Sequence, residues 1–284
     1  GYSVQATVDG GFIAVGQTNG AGFYPRAGPR SDVYLLKTDA EGSEIWSRIF
    51  GGDAGDVGRA VLQAADGGYV VVGDTDSTGA GDRDVYLVKT GADCILEWEK
   101  TFGGPDDGYG YALRQTADGG YVIAGSRYNA ASYDTDIYLI KTDTTGSLSW
   151  EKTFDFFARG YGYALAVAPD GGFVIAGEAT PAGAYRSDIC LIKTDSAGNE
   201  IWRRLFGQDG DDIGRSIEAD DGGYIVAGVR FSHYAHLMKI DETGALIWER
   251  TYKFSYYSNS ANAVKPTADG GYILAGATDA EAFS

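Results

Sequence analysis

The chain has 284 residues, 44% of them hydrophobic, with a formal net charge of −17 at pH 7 and a pI near 4.4. This acidity excludes nucleic acid as an expected partner, because phosphates require a basic surface. It also argues against anionic membranes, and no apolar run approaches the roughly 20 residues that cross a bilayer. Cys94 and Cys190, the two cysteines, predict no disulfide framework.

The segment DGGFIAVG, which begins at Asp9, returns with small changes five more times. A second segment, DIYLIKTDTTGSLSWEKTF in the third copy, has five versions whose tryptophans lie 52, 52, 52 and 46 residues apart. A period near 50 residues is typical of β-propellers and related arrays. The predicted repeats are 1–50, 51–102, 103–154, 155–206, 207–252 and a partial repeat 253–284.

Each complete repeat divides into four strands, a to d, which in the third copy read YALRQTA, GYVIAGS, DIYLIKT and LSWEKTF. DGG supplies the turn from a to b, and T-D-x-x-G supplies the turn from c to d. Strands b and c are apolar on both sides, so neighbouring sheets must cover both sides. We therefore predict one all-β domain over residues 1–284, a six-bladed β-propeller of four-stranded antiparallel blades with the last blade incomplete.

The unit resembles the β-propeller repeats of secreted and surface-attached bacterial and archaeal proteins, whose pattern runs DGGYIVAG … DVYLIKTDSNGNVLWEKTFGG. Its K-T-D-x-x-G-x-x-x-W stretch is similar to the tryptophan-docking repeat of pyrroloquinoline-quinone-type propellers, in which the tryptophan packs over a neighbouring blade. Nothing matches the quinone-binding residues, so no cofactor is implied. Cys94 stands where other copies have glycine, which predicts a different turn there.

The sequence has six a–b halves and five c–d halves. A bare sixth strand b would expose unpaired backbone groups and invite pairing with another strand. Three explanations stay open: a longer natural chain, strands donated by a neighbouring molecule, or a covered two-stranded blade. We favour the first, and self-assembly through the incomplete blade follows from the second.

Positions repeated in every copy are expected to be structural. The aspartates of DGG and the lysines of strand c are predicted to pair on one side of the domain: Asp9, Asp66, Asp118, Asp170, Asp221 and Asp269 with Lys37, Lys89, Lys141, Lys193 and Lys239. The opposite side carries the variable b-to-c and d-to-a loops, where binding residues tend to lie. Their aromatic and arginine residues form a candidate binding rim, or pack within their own loops: Tyr24, Arg26, Tyr128, Tyr133, Phe157, Arg159, Tyr185, Arg186, Tyr234 and Tyr257.

A second candidate set lies seven residues before each DGG aspartate, one residue later in the shorter fifth copy. These residues are expected to surround a channel mouth, where they hold a small anionic or sugar-like ligand or merely line water: Tyr2, Arg59, Tyr111, Tyr163, Arg215 and Asn262. Acidic d-to-a loops offer weak calcium ligands, although turns that cap strand a explain them better: Asp53, Asp56, Asp106, Asp107, Asp209, Asp211 and Asp212.

Catalysis has little support, because His233 and His236 are the only histidines and no nucleophile elbow, zinc cluster or phosphate loop appears. His236 occupies a strand c position that holds tyrosine elsewhere, which indicates packing. We expect a non-enzymatic extracellular or cell-surface module for interaction or structural assembly, with a protein or glycan partner, no membrane insertion and no cofactor except a possible calcium ion. The alternatives are a lectin-like carbohydrate binder and, third, a glycan-acting hydrolase or lyase.

Overall fold

The computed structural model describes residues 1–18, 31–156, 158–207, 210–253 and 259–278. Within these ranges the chain forms 22 strands and no helix, and hence no helix that could cross a membrane. The first twelve strands are β1 (Ser3–Ala6), β2 (Phe12–Gln17), β3 (Val33–Thr38), β4 (Glu44–Phe50), β5 (Asp56–Gln63), β6 (Tyr69–Thr75), β7 (Asp84–Thr90), β8 (Leu96–Phe102), β9 (Gly108–Gln115), β10 (Tyr121–Asn129), β11 (Asp134–Thr142) and β12 (Leu148–Phe154). The others are β13 (Arg159–Val167), β14 (Phe173–Thr180), β15 (Asp188–Thr194), β16 (Glu200–Phe206), β17 (Ile213–Asp220), β18 (Gly223–Arg230), β19 (Tyr234–Asp241), β20 (Leu246–Tyr252), β21 (Asn259–Pro266) and β22 (Tyr272–Thr278).

The four strands of each complete repeat pair in chain order, giving separate four-stranded sheets in the first, second and fifth repeats and one eight-stranded sheet from the third and fourth. The pairing within these sheets is antiparallel, as in β13 with β14 and β14 with β15. A single parallel bridge between Thr135 and Arg159 adds a contact from β11 to β13. The predicted four-stranded blades are confirmed, because strands b and c coincide with the apolar runs seen in the sequence.

The chain divides into two compact units. The first comprises residues 1–133 and 139–151, and the second comprises residues 134–138 and 152–284. Each unit has its own buried clusters, such as Ile13, Leu35 and Val71 in the first and Val174, Leu191 and Val226 in the second. The single domain over 1–284 stays a prediction.

The DGG turn is specified by two glycines with different roles. Gly119, the first of the pair, has a φ of 81°, in the left-handed region that favours glycine. Gly120, the second, has no room for a side chain, because a Cβ there would lie 2.2 Å from the carbonyl oxygen of Thr142. Asp118, the DGG aspartate, accepts a hydrogen bond from the Lys141 ammonium at 2.9 Å. The hydrogen bond from the Thr116 hydroxyl and, next, the one from Lys141 lower the pKa of Asp118 to about 2.

The predicted lysine–aspartate pairs are confirmed in four repeats and corrected in the fifth. Lys37, Lys89, Lys141 and Lys193 lie 2.8 to 2.9 Å from their DGG aspartates. Lys239 instead lies 2.7 Å from Asp220, the residue before the predicted Asp221. The segment from the bulged residue to the DGG aspartate is one residue shorter in the fifth repeat, so the preceding carboxylate takes the place of the DGG aspartate.

The prediction of a different turn at Cys94 is wrong. Cys94 has a φ of 63° and donates its N–H to the Gly91 carbonyl at 3.0 Å, as Gly42 does to Asp39 at 3.2 Å. The cysteine therefore adopts the left-handed conformation that glycine adopts in the other copies. Its side chain is buried in the cluster on which Trp46 packs, which offsets part of the backbone cost.

Tryptophans of strand d pack on the following repeat. Trp46 meets Tyr69 edge-on at 5.5 Å between ring centroids, and Trp202 donates its Nε1 hydrogen to the Glu242 carbonyl at 3.1 Å. Gly146 must lack a side chain, because a Cβ there would lie 2.5 Å from the Trp98 ring. The recurrent tryptophan thus holds adjacent repeats together within each unit.

The last repeat is the two-stranded sheet β21–β22 within the described residues. Val70, Val122, Val174 and Ile225 of earlier b strands are fully buried, whereas Ile273 at the same repeat position is 62% exposed. This difference confirms that the last blade lacks its c and d strands in the described part. How that blade is closed stays a prediction.

Candidate functional site

The predicted channel-mouth residues share one backbone feature, a β-bulge in strand a. In β5, Gly58 pairs with Gly73 and Ala60 pairs with Val72, so the residue between them has no partner in the ladder. The same irregularity recurs in β9, β13, β17 and β21, and the extra residues are Arg59, Tyr111, Tyr163, Arg215 and Asn262. Bulges re-aim a side chain away from the regular alternation. Tyr2, the sixth member, precedes β1 and donates its N–H to the Val15 carbonyl at 2.8 Å.

Glycines in strand b make this bulge possible. A Cβ on Gly73 would lie 1.7 Å from the Val57 carbonyl oxygen, and one on Gly177 would lie 1.7 Å from that of Tyr161. The glycine that follows the apolar run of strand b therefore admits the backbone of strand a. The sequence shows this glycine in every repeat, which is why counting back from DGG finds the bulged residue.

In the first unit, the bulged arginine is neutralised by its own blade. Arg59 donates its Nε hydrogen to the carboxylate of the buried Asp74, and its guanidinium stacks over the Tyr111 ring at 5.1 Å. Burial lowers the pKa of Arg59, but the hydrogen bond and charge of Asp74 outweigh that effect and raise it. Arg83, 2.5 Å from Asp76 and 3.8 Å from Asp74, adds a second arginine to the cluster.

In the second unit, the bulged residues line an open cavity. Tyr163 donates its hydroxyl hydrogen to Glu178 at 2.7 Å, and Ser187 donates to the other carboxylate oxygen at 2.8 Å. Arg215 donates to Asn262 Oδ1 at 3.2 Å. A cavity of about 370 Å³ is lined by Tyr163, Ile213, Arg215 and Asn262.

Arg59 and Arg215 occupy the same repeat position but have different partners. Asp74 follows Gly73, the strand b glycine of β6, whereas Val229 follows Gly228, the corresponding glycine of β18. Arg215 is exposed and forms no ion pair with a carboxylate of the described residues. The sequence analysis missed Asp74, Glu178 and Val229, although the position after the strand b glycine would have identified all three.

The described rim residues separate into exposed and packed groups. Tyr133 is 83% exposed and Tyr185 is 99% exposed, and Arg159 and Arg186 are exposed as well. Arg186 reaches Asp211 at 2.9 Å. Tyr128 is half-buried, and Tyr234 is also half-buried, packing on Phe231 at 6.2 Å between ring centroids. The remaining rim candidates lie outside the described residues: Tyr24, Arg26, Phe157 and Tyr257.

Four of the seven predicted calcium ligands, Asp56, Asp106, Asp211 and Asp212, make other side-chain contacts in the structure. Asp56 is fully buried and accepts from the Gly52 amide at 2.9 Å and the Ser77 hydroxyl at 2.8 Å. Asp212 accepts from the Phe231 amide at 2.6 Å. Asp106 lies 3.6 Å from Arg127, and Asp211 forms an ion pair with Arg186. The backbone carbonyl of Asp107 accepts from the Tyr128 amide. Asp53 is exposed, and Asp209 lies outside the described residues.

A different set of carboxylates in the described chain could hold a metal ion. Oxygens of Asp134, Asp136 and Asp155 all lie within 4.8 Å of one another. Oxygen ligands of this kind suit calcium. Asp136 is the third residue of β11 and Asp155 follows β12, so the sequence alone does not show that they meet. Calcium binding stays a prediction.

The histidines do not form a catalytic arrangement. His236 is buried in the strand c position that Tyr86 occupies in the second repeat, which confirms its packing role. Burial and, to a smaller extent, the nearby Arg230 charge lower the pKa of His236 to about 4, so the imidazole is neutral at pH 7. His233 is exposed, and its carbonyl accepts from the Asn259 amide at 2.8 Å.

Comparisons with known proteins identify the fold. No protein-family model matches the sequence. The regulatory protein FlaEY of Caulobacter vibrioides is 22% identical over 274 residues, which cover 84% of this chain; the chain spans 29% of that relative's length. The Pan2 WD40 domain of Neurospora crassa has a TM-score of 0.56 at 11% identity and covers 96% of this chain and 84% of that one.

Two further solved structures are similar. Sqt1 of Saccharomyces cerevisiae has a TM-score of 0.59 at 11% identity and covers 96% of this chain and 68% of that one. A gluconolactonase from Xanthomonas campestris has a TM-score of 0.50 at 14% identity, with coverages of 87% and 79%. WD40 domains are β-propellers. The predicted β-propeller fold is therefore confirmed, and at these identities the comparisons establish the fold alone.

Proposed function

We propose that this chain is a non-enzymatic interaction module that works outside the cell or at its surface and binds a protein partner through its b-to-c loops. The observation that carries the proposal is the exposure of Tyr133 and Tyr185, at 83% and 99% of their surfaces. Each side chain lies on the b-to-c loop of its own repeat. Exposed tyrosines offer a large apolar contact area and a polar tip, the composition typical of protein interfaces.

The rest of the architecture supports a binding role over a catalytic one. The positions shared by all repeats build turns and inter-repeat contacts, and the copies differ at the loops. WD40-type propellers share this fold, which fits a scaffold for protein interaction. The extracellular location is supported by the acidic net charge of −17 and by the resemblance to surface-attached repeat proteins.

The test is capture of a partner from the native source, followed by affinity measurement with purified components. We expect the Y133S/Y185S variant to bind at least tenfold more weakly, because truncating a buried interfacial tyrosine removes well over 1 kcal/mol of binding energy. The matched control is I49S/I201S, which removes similarly exposed apolar surface from strands d, 58% and 56% exposed, and should leave affinity unchanged. Equal loss in both variants would contradict the proposal.

A lectin-like role is the second candidate, because exposed tyrosine rings also stack on sugar faces. A glycan array separates the two functions. Binding of a defined glycan that is lost in Y133S/Y185S would replace the protein-binding proposal by the lectin one. A glycan hydrolase or lyase, the third candidate, requires measurable turnover of the bound glycan.

Assembly through the last blade is a further part of the proposed function. The exposed Ile273 and the groove of about 410 Å³ lined by Trp248, Tyr272 and Leu274 offer an edge and an apolar seat for a c–d hairpin. A synthetic peptide with the sequence of residues 188–206 should bind the wild type, and I273K should weaken this binding at least tenfold. Failure of the peptide to bind would contradict the strand-acceptor role.

A further inference from the structure

We propose that the cavity at Arg215 binds a carboxylate group presented by a peptide segment of the partner protein. This inference rests on the proposed interaction function and names the chemistry of one anchoring contact. It uses the cavity of about 370 Å³ that Tyr163, Ile213, Arg215 and Asn262 line.

The first argument is the supply of hydrogen-bond donors. Arginine has five N–H donors in a planar fork that matches a carboxylate. Within the described residues, Arg215 uses one guanidinium nitrogen to reach Asn262 Oδ1 at 3.2 Å and forms no ion pair. That contact leaves the Asn262 amide nitrogen as a neighbouring donor. The guanidinium and this amide together form a donor group exposed to the cavity.

The second argument is the internal comparison with Arg59. Both arginines are the bulged residue of strand a, so the backbone presents them in the same way. Asp74 receives the Arg59 guanidinium, whereas the equivalent residue beside Arg215 is Val229. The fifth repeat therefore has the same cation but an apolar side chain at the position of its internal counter-ion. A carboxylate from outside restores the pair that the second repeat makes internally.

The third argument concerns the charge of the ligand. Arg215 supplies one positive charge. Glu178 accepts from the hydroxyl of Tyr163, a residue that lines the cavity, at 2.7 Å. The whole chain carries a net charge of −17. A monoanion fits this balance, while a dianionic phosphate would be repelled. Ile213 and the Tyr163 ring provide the apolar surface against which the stem of an amino acid side chain or a peptide C-terminus packs.

The experiment titrates five probes into full-length ¹⁵N-labelled protein and follows the Nε–Hε signals of its arginines. The probes are N-acetyl-trialanine with a free C-terminus, the same peptide as its amide, N-acetyl-Ala-Glu-Ala amide, glucuronate and inorganic phosphate. We expect one or both carboxylate peptides to shift the Arg215 signal saturably, and the uncharged amide to leave it unchanged.

Three variants test the assignment, each checked for an unchanged cooperative unfolding transition. R215M should weaken peptide binding at least tenfold, about the worth of one charge-assisted hydrogen bond. V229D should do the same, because it supplies the counter-ion that Asp74 supplies to Arg59. The control R59M/D74V removes the closed pair as a unit and should change affinity less than twofold.

The proposal is overturned if the peptide amide binds as well as the acids, if R59M/D74V loses as much affinity as R215M, or if only glucuronate or phosphate binds. Its failure is distinguishable from that of the proposed function. A protein partner lost in Y133S/Y185S but retained in R215M keeps the interaction role and rejects the carboxylate anchor. If carboxylate peptides bind at Arg215 but no protein partner depends on the two tyrosines, the carboxylate site is kept and the proposed interaction through the b-to-c loops is rejected.

Discussion

The second and fifth repeats show how one backbone design can carry different chemistry. In the second repeat, Arg59 forms an ion pair with Asp74, and Tyr86 donates its hydroxyl hydrogen to Glu99 at 2.5 Å. In the fifth repeat, Val229 stands at the Asp74 position and His236 at the Tyr86 position. Arg230 then takes the role of the tyrosine hydroxyl and donates to Glu249 at 2.6 Å.

This difference separates the residues that the fold requires from those that vary freely. The DGG glycines and the strand c lysine occur in both repeats because the turn geometry depends on them. The bulged residue is arginine in both repeats, but the residue after the strand b glycine differs, Asp74 in the second and Val229 in the fifth. The bulge directs the arginine side chain away from the ladder, so this difference leaves the strand pairing unaltered. The fifth repeat is therefore where we expect ligand chemistry, and the second is its internal control.

The largest expected effect is one that the two repeats share. G68A and G223A place a Cβ 2.2 Å from the Thr90 carbonyl oxygen and 1.9 Å from that of Ile240. Each should cost more than about 4 kcal/mol of the free energy of unfolding, because the clash is with backbone. Urea unfolding measures this loss. The controls G67N and G222N fill open space at a left-handed φ and should cost about 1 kcal/mol.

The next prediction distinguishes the repeats by pH. His236 has a pKa near 4 in the folded state against 6.5 when exposed, so the unfolded state takes up the proton first as the pH falls. The contribution of His236 to the free energy of unfolding is fully present above about pH 6.5. It falls by about 3 kcal/mol as the pH decreases from about 6.5 to about 4. Urea unfolding at several pH values measures the slope. H236F should abolish this part of the slope, and an unchanged slope in H236F would refute the buried neutral histidine.

A smaller effect tests the shifted carboxylate of the fifth repeat. D66N removes the partner of Lys89, whose side chain is 3% exposed, and should cost about 1–2 kcal/mol. D220N should cost a similar amount, because Asp220 pairs with Lys239. D221N should be nearly neutral. A larger loss for D221N than for D220N would show that the turn follows the DGG register after all.

The smallest effect concerns Cys94. C94G relieves a left-handed φ of 63° but removes a buried side chain, so the free energy of unfolding should change by less than about 1 kcal/mol. Burial raises the pKa of the Cys94 thiol to about 11 and also raises that of Cys190. Neither thiol should react with Ellman's reagent at pH 8 before unfolding. Rapid labelling of native protein would contradict this burial.

The repeat predicted the fold well because its signals are local. DGG, T-D-x-x-G and the tryptophan each fix a turn or a neighbour contact within about 50 residues, and counting from DGG identified the bulged residues. The site was harder to predict because its partners are set by cross-strand register. Nothing local in the sequence says that Asp155 meets Asp134, or that Tyr185 is exposed while Tyr234 packs.

The most direct test of the contrast between the repeats needs no ligand. It is the rate at which the Nε–Hε protons of Arg59 and Arg215 exchange with water, measured by NMR at pH 7. The same rates are measured in the D74V and V229D variants. Our account predicts slow exchange at Arg59 that becomes fast in D74V, and fast exchange at Arg215 that becomes slow in V229D. Equal protection of both arginines in the wild type would contradict an open cation in the fifth repeat and a closed one in the second.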